Sequence, residues 1–146
     1  LNNRMTDIHA SIGRVQLTKL AGWTKTRQEN AAFLSSNITE AITPAVPEGY
    51  VHVYHQYTIR LEGATGEERD RFVTALKEEH QVGSGVYYPI PNHRLPSLAP
   101  YAPGLELPNT EKVAAECVSL PVHPSLSQAD RERIVAAVNT CAKAGA

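Results

Sequence analysis

The chain has 146 residues, 42% of them apolar and 20% charged, with a formal net charge of -1. That length can bury one sizeable core but not two, so a single domain is expected. Nothing in the balance marks a disordered chain, a membrane-spanning one, or a protein that coats nucleic acid through bulk positive charge. Two cysteines, Cys117 and Cys141, lack CxxC spacing and are too few for a disulfide scaffold, which suits buried thiols in a reducing cytoplasm. No charged stretch followed by an apolar one marks a secretory signal.

In chain order, the spacing of Ile8, Ile12, Val15 and Leu20, with Ala10 and Leu17 beside them, predicts a helix with a wide apolar face. Gly13 and Gly22 are the only glycines before residue 40 and no proline precedes Pro44, so this helix is expected over about 6–38 with a bend near 22–24. Residues 50–61, YVHVYHQYTIRL, alternate in the manner of a strand. A helix over 67–80 follows, with Phe72, Val73 and Leu76 inward and Gly83 soon after its end, and then a short second strand over 86–88.

The stretch PIPNHRLPSLAPYAPG contains Pro89, Pro91, Pro96, Pro100 and Pro103, which deny both a helix and a sheet interior. It must be a long, fairly rigid loop, and such loops are often functional. Asn109-Thr110-Glu111 can cap a short helix to about residue 116, residues 117–120 form a third strand, and Ser127-Gln128-Ala129-Asp130 is a capping box for a last helix. The order α-β-α-β-α-β-α suggests an α/β sandwich: a long first helix, then a three-stranded sheet with helices on one face.

Six histidines invite a metal reading, but His52 and His55, three apart on the expected strand, would point to opposite faces and cannot chelate one ion. No metal site is expected: His9 lies on the first helix, and His80 and His123 sit near element ends, where an imidazole commonly satisfies backbone groups. No GxSxG elbow, Cys-His pair or glycine-rich phosphate loop is present, and Lys19, Lys25, Lys77, Lys112 and Lys143 fall on polar helix sides. No catalytic residue is therefore expected in this chain. What stands out is Asn2-Asn3-Arg4 ahead of the first helix, the HVYHQYTIR segment, and the Pro-rich loop with Tyr87, Tyr88 and His93. Asn and Arg at a helix start can hold a phosphate or sugar hydroxyl, or can be an ordinary cap with a surface Arg.

Four segments in order carry a resemblance. NNRMTDIHASIGRVQLTKL, HVYHQYTIR, GVYYPIPNHRLPSL and CVSLPVHPSLSQAD resemble successive motifs of the DegT/DnrJ/EryC1/StrS family of pyridoxal-phosphate-dependent sugar aminotransferases, and they cover essentially the whole chain. Asn92 stands where that family usually has Leu, and Leu1 where an aromatic is common.

The resemblance implies that residues 1–146 are the small C-terminal domain of a fold-type I enzyme of roughly 370 residues, more than one small domain holds. On that reading the chain is a fragment cut just before the Asn-x-Arg-Met loop, and residues 1–40 link it to a large domain carrying the lysine that tethers pyridoxal phosphate. The fragment alone would be inactive, with the apolar face of Ile8, Ile12 and Val15 uncovered. Asn2 would reach the cofactor phosphate of the other subunit of a homodimer, and Arg4, Tyr88 and His93 would border the substrate. The implied reaction moves an amino group from glutamate to a nucleotide-linked keto-sugar in the cytoplasm, with no membrane or nucleic-acid partner. A dehydratase of the same family, with histidine in place of that lysine, and a stand-alone binding or regulatory module are the alternatives.

Overall fold

The computed structural model describes residues 4–144. Helix α1 runs over Asp7–Asn37, its start fixed by Thr6, whose hydroxyl accepts the amide of His9 at 3.3 Å. It passes Gly13 and Gly22 without interruption. Its buried positions, Asn30, Ala31 and Leu34, lie in the last third, whereas Ile8, Ile12, Val15 and Leu20 are exposed. The apolar stripe expected from the sequence is thus real, but nothing among the described residues covers its N-terminal half.

Strand β1, Tyr57–Arg60, pairs antiparallel with β2, Cys117–Leu120, placing Tyr57 opposite Leu120 and Ile59 opposite Val118. Between them in sequence come α2, Gly66–Glu78, and α3, Pro108–Glu116, and after β2 comes α4, Gln128–Ala144. The Tyr57, Ile59, Val118 and Leu120 face carries the core, joined by Leu34 of α1, Phe72 and Leu76 of α2, and Ile134 and Val138 of α4. Among the described residues no helix is long and apolar enough to cross a membrane.

The three-stranded sheet is corrected to two strands extended by single bridges, Ile42 to Arg60 on one side and Gly85 to Ser119 on the other. The strand expected over 50–61 shrinks to β1 because β2 offers only four residues to pair with, and Tyr54, at φ +48°, turns the chain aside before the ladder begins. The strand expected over 86–88 is reduced to the bridge at Gly85, after which the chain leaves toward Pro89. His52 and His55 therefore do not sit on a strand, and the opposite-faces argument does not apply to them. Among the described residues no group of three or more His, Cys, Asp or Glu side chains converges to hold a metal ion.

Caps explain most boundaries. Thr65 and Glu68 form a reciprocal capping box at α2: Thr65 N–H donates to Glu68 Oε2 at 2.7 Å, and these bonds hold the carboxyl below its ordinary pKa. Ser127 and Asp130 do the same at α4, as the sequence predicts, with Ser127 N–H donating at 2.9 Å and Asp130 N–H donating back at 3.1 Å. Helix α3 departs from expectation. It begins at Pro108 with no side-chain cap, because proline's fixed φ already suits the first helical position. At its other end the buried Arg69 donates to the carbonyl of Ala114, satisfying a helix C-terminus.

Candidate functional site

The sheet's second face carries Thr58, Arg60, Cys117 and Ser119, and it borders two clefts. The first, of about 700 Å³, lies between α3 and the Pro-rich loop, with Tyr88, Ile90, Asn92, His93, Asn109 and Thr110 in its walls. The five prolines leave room for two short 3-10 turns, Asn92–Arg94 and Ala99–Tyr101, so the loop has a defined path. Tyr87 also lines the second cleft, of about 500 Å³, beside Ser119 and the segment after β2.

One carboxylate fixes the wall of the first cleft. Glu111 Oε1 lies 2.8 Å from His93 Nε2 and accepts from Arg94 Nη2 at 2.7 Å and Nε at 3.1 Å. The hydrogen bond from His93, followed by those from Arg94, holds the Glu111 carboxyl down at about 2. His93, with only 5% of its side chain exposed, is thus bound to α3, while Tyr88 is 74% exposed.

Of the residues singled out in the sequence, Tyr88 and His93 line the same cleft. Arg4 is exposed at the start of α1 and is not part of that wall; Asn2 lies outside the described residues. Sequence reasoning missed Glu111 as the loop's anchor, having assigned it to a helix cap. The available signal was an acidic residue within reach of two adjacent basic ones, His93 and Arg94, but it required knowing that the loop folds back onto α3.

The first cleft offers phenols, amides and a hydroxyl over an apolar floor, groups that bind and orient. Its one thiol, Cys117, is buried. Among the described residues no lysine lines either cleft.

Known proteins agree with this architecture. A family model, the DegT/DnrJ/EryC1/StrS aminotransferase family, matches residues 1–139. The chain is 36% identical over 141 residues to a pleiotropic regulatory protein of Geobacillus stearothermophilus, covering 92% of this chain and 36% of that protein. It is 32% identical over 139 residues to the UDP-N-acetyl-3-dehydro-alpha-D-glucosamine 3-aminotransferase of Acidithiobacillus ferrooxidans, covering 94% of this chain and 36% of that one. Among solved structures, NtdA of Bacillus subtilis with bound cofactor PMP superposes with a TM-score of 0.85 at 26% identity, over 98% of this chain and 34% of NtdA. The chain spans little more than a third of the proteins it matches, and it belongs to the DegT/DnrJ/EryC1/StrS aminotransferase family.

Proposed function

We propose that this chain is the C-terminal part of a pyridoxal-phosphate-dependent aminotransferase that moves an amino group from glutamate to a nucleotide-linked keto-sugar. The observation that carries the reading is the first cleft, with phenols, amides and a hydroxyl over an apolar floor, on a chain that matches the family over residues 1–139. A relative whose name states a 3-aminotransferase of a UDP-sugar supports the substrate class. The bound coenzyme supplies the electron sink for the transfer, and the lysine that tethers it belongs to the part of the protein outside this chain. Here Tyr88 and His93 shape the wall against which the sugar nucleotide rests. Arg4 adds a guanidinium near that substrate, and Asn2 an amide for the cofactor phosphate across a homodimer interface.

The test uses the full-length protein. Tyr88→Ala is expected to raise KM for the keto-sugar nucleotide about tenfold with a smaller change in kcat, the signature of lost binding rather than lost chemistry. Asn2→Ala is expected to weaken cofactor retention, read by absorbance titration, without unfolding the protein. Unchanged cofactor affinity would count against the Asn2 assignment, and a product that has lost water instead of gaining an amine would replace the aminotransferase with the dehydratase. The regulatory reading is favoured only by the name of the Geobacillus relative, and it predicts a protein that takes up no cofactor.

A further inference from the structure

The second cleft is built like a receptor for negative charge. Arg27, His55, Gln56, Ser84, Ser119 and His123 contribute to its wall, and among the described residues no Asp or Glu does, although Asp130 acts on His123 from outside it. The Arg27 guanidinium makes no hydrogen bond or ion pair among the described residues. The Ser84 hydroxyl oxygen is buried without a hydrogen-bond partner, a state that buried polar atoms rarely keep unless something else reaches them. A guanidinium and an orphaned hydroxyl in one cleft form a donor set in need of an acceptor.

The scaffold around these groups is specific. Asn30, 2% exposed and one turn beyond Arg27 on the same face of α1, donates its Nδ2 to the carbonyl of His123 at 3.0 Å and to that of Val122 at 3.4 Å. This anchors the His123 segment beside Arg27. Gln28, the neighbour of Arg27, donates Nε2 to the carbonyl of His52 at 3.0 Å, tethering the segment that leads to His55. Within that segment Tyr54 holds φ +48°, with its amide donating to His52 Nδ1 at 2.8 Å. Non-glycine residues persist in that region where the surroundings over-determine them, often at functional sites. On the remaining side Gly85 and Ser119 exchange backbone bonds of 3.0 and 2.7 Å, which place Ser84. An imidazole donates an N–H in either protonation state, so His55 and His123 can both face an anion.

We infer that the second cleft is an anion-binding subsite that receives a carboxylate or phosphate group through Arg27, His55, Ser84 and His123. Tyr87 lines both clefts, so one ligand can rest its body in the first and its charge in the second. The existence of the subsite follows from the donor set alone; only the choice between its two sources, the carboxylate of an amino donor or a phosphate of a sugar nucleotide, rests on the aminotransferase reading.

The test uses the full-length holoprotein, with inorganic phosphate and acetate as probes and the imidazole signals of His55 and His123 as the NMR readout, assigned through His55→Gln and His123→Gln. The expected result is a saturable shift of both signals, moved to at least about tenfold higher probe concentration in Arg27→Met. Ser84→Ala removes an orphaned atom, so it should leave the melting temperature unchanged or raised while still weakening probe binding, which a purely structural serine would not do. Kinetics then assign the source: a raised KM for the amino donor in Arg27→Met identifies the carboxylate, and a raised KM for the sugar nucleotide identifies the phosphate. Signals that do not respond to either probe, or that respond equally in wild type and Arg27→Met, overturn the subsite. A wild-type protein without transaminase activity overturns the functional reading and leaves the imidazole titration to decide this one.

Discussion

His93 Nε2 and Glu111 Oε1 stand 2.8 Å apart, and through them the Pro-rich loop is fastened to the first turn of α3. Arg94 adds two bonds to the same oxygen. Because the Glu111 carboxyl titrates at about 2 in the fold against 4.5 in a free chain, the folded state holds this proton less tightly than the unfolded one. The stabilisation is therefore complete above pH 4.5 and disappears as the pH falls toward 2. The protection of residues 92–101 against amide exchange, relative to the free-chain rate at each pH, should fall across that window, whereas in Glu111→Gln it should be low already at neutral pH. A loop equally protected in Glu111→Gln and wild type would show that the carboxylate is not its anchor.

Gly85 and Tyr87 constrain each other next to both clefts. A methyl group at Gly85 would sit 2.7 Å from the Tyr87 hydroxyl oxygen and 2.8 Å from its Cζ, closer than real contacts allow. Tyr87 is 53% exposed, so its ring can swing outward at a cost of about 1 kcal/mol or less. Gly85→Ala is expected to fold with near wild-type stability while moving the wall that the two clefts share. The check is the Tyr87 ring resonances together with a melting curve. Unmoved resonances would mean that the strain is absorbed by the backbone of the Gly85–Ser119 bridge.

Asn30 ties the segment after β2 to α1. Its amide donates to two carbonyls, and its Oδ1 accepts from Arg131 Nη1 at 3.4 Å. Asn30→Ala leaves the Val122 carbonyl and part of the Arg131 guanidinium unpaired in a site only 2% exposed, while the His123 carbonyl keeps the Leu126 amide at 3.2 Å, and should cost about 1–3 kcal/mol. Hydrogen exchange in α1 reads the loss. Asn30→Asp, which keeps the acceptor but removes the donor, should be no better, because the two carbonyls then face a carboxylate.

What could be read from the sequence was what short-range chemistry decides. Thr6 and the Ser127–Asp130 pair place helix starts within a residue or two, and Cys117–Leu120 is found where a strand is expected; the Thr65–Glu68 box is just as local but was not among the expected caps. Strand lengths were less legible, because alternation over 50–61 says which residues could pair but not that β2 has only four partners to give. The site divides the same way. Tyr88 and His93 came from a family motif, while Glu111 and Arg27 matter only once the loop folds onto α3 and the segment after β2 folds onto α1. Those contacts span 18 residues for His93 and Glu111, and 93 for Asn30 and His123, and no local pattern encodes them.

Glu116 closes the sheet from the end of α3. Its side chain is 1% exposed, accepting from Arg60 Nη1 at 3.0 Å and from the amide of Gly63 at 2.9 Å, with Lys112 Nζ at 3.9 Å. Removing one partner of a buried ion pair leaves an uncompensated charge and commonly costs about 3–5 kcal/mol. Here Arg60 is a third exposed and can recover some hydration, so Glu116→Ala should cost less, about 2–4 kcal/mol. Glu116→Gln keeps an acceptor for both donors and should cost about 1 kcal/mol. The order of the two variants is the informative quantity, because it separates the hydrogen bonds from the charge. Local opening free energies of the β1 amides, from hydrogen exchange in the full-length protein, give both numbers. Equal losses in Gln and Ala would mean that the charge, and not the acceptor geometry, holds Arg60 and Gly63 to the end of α3.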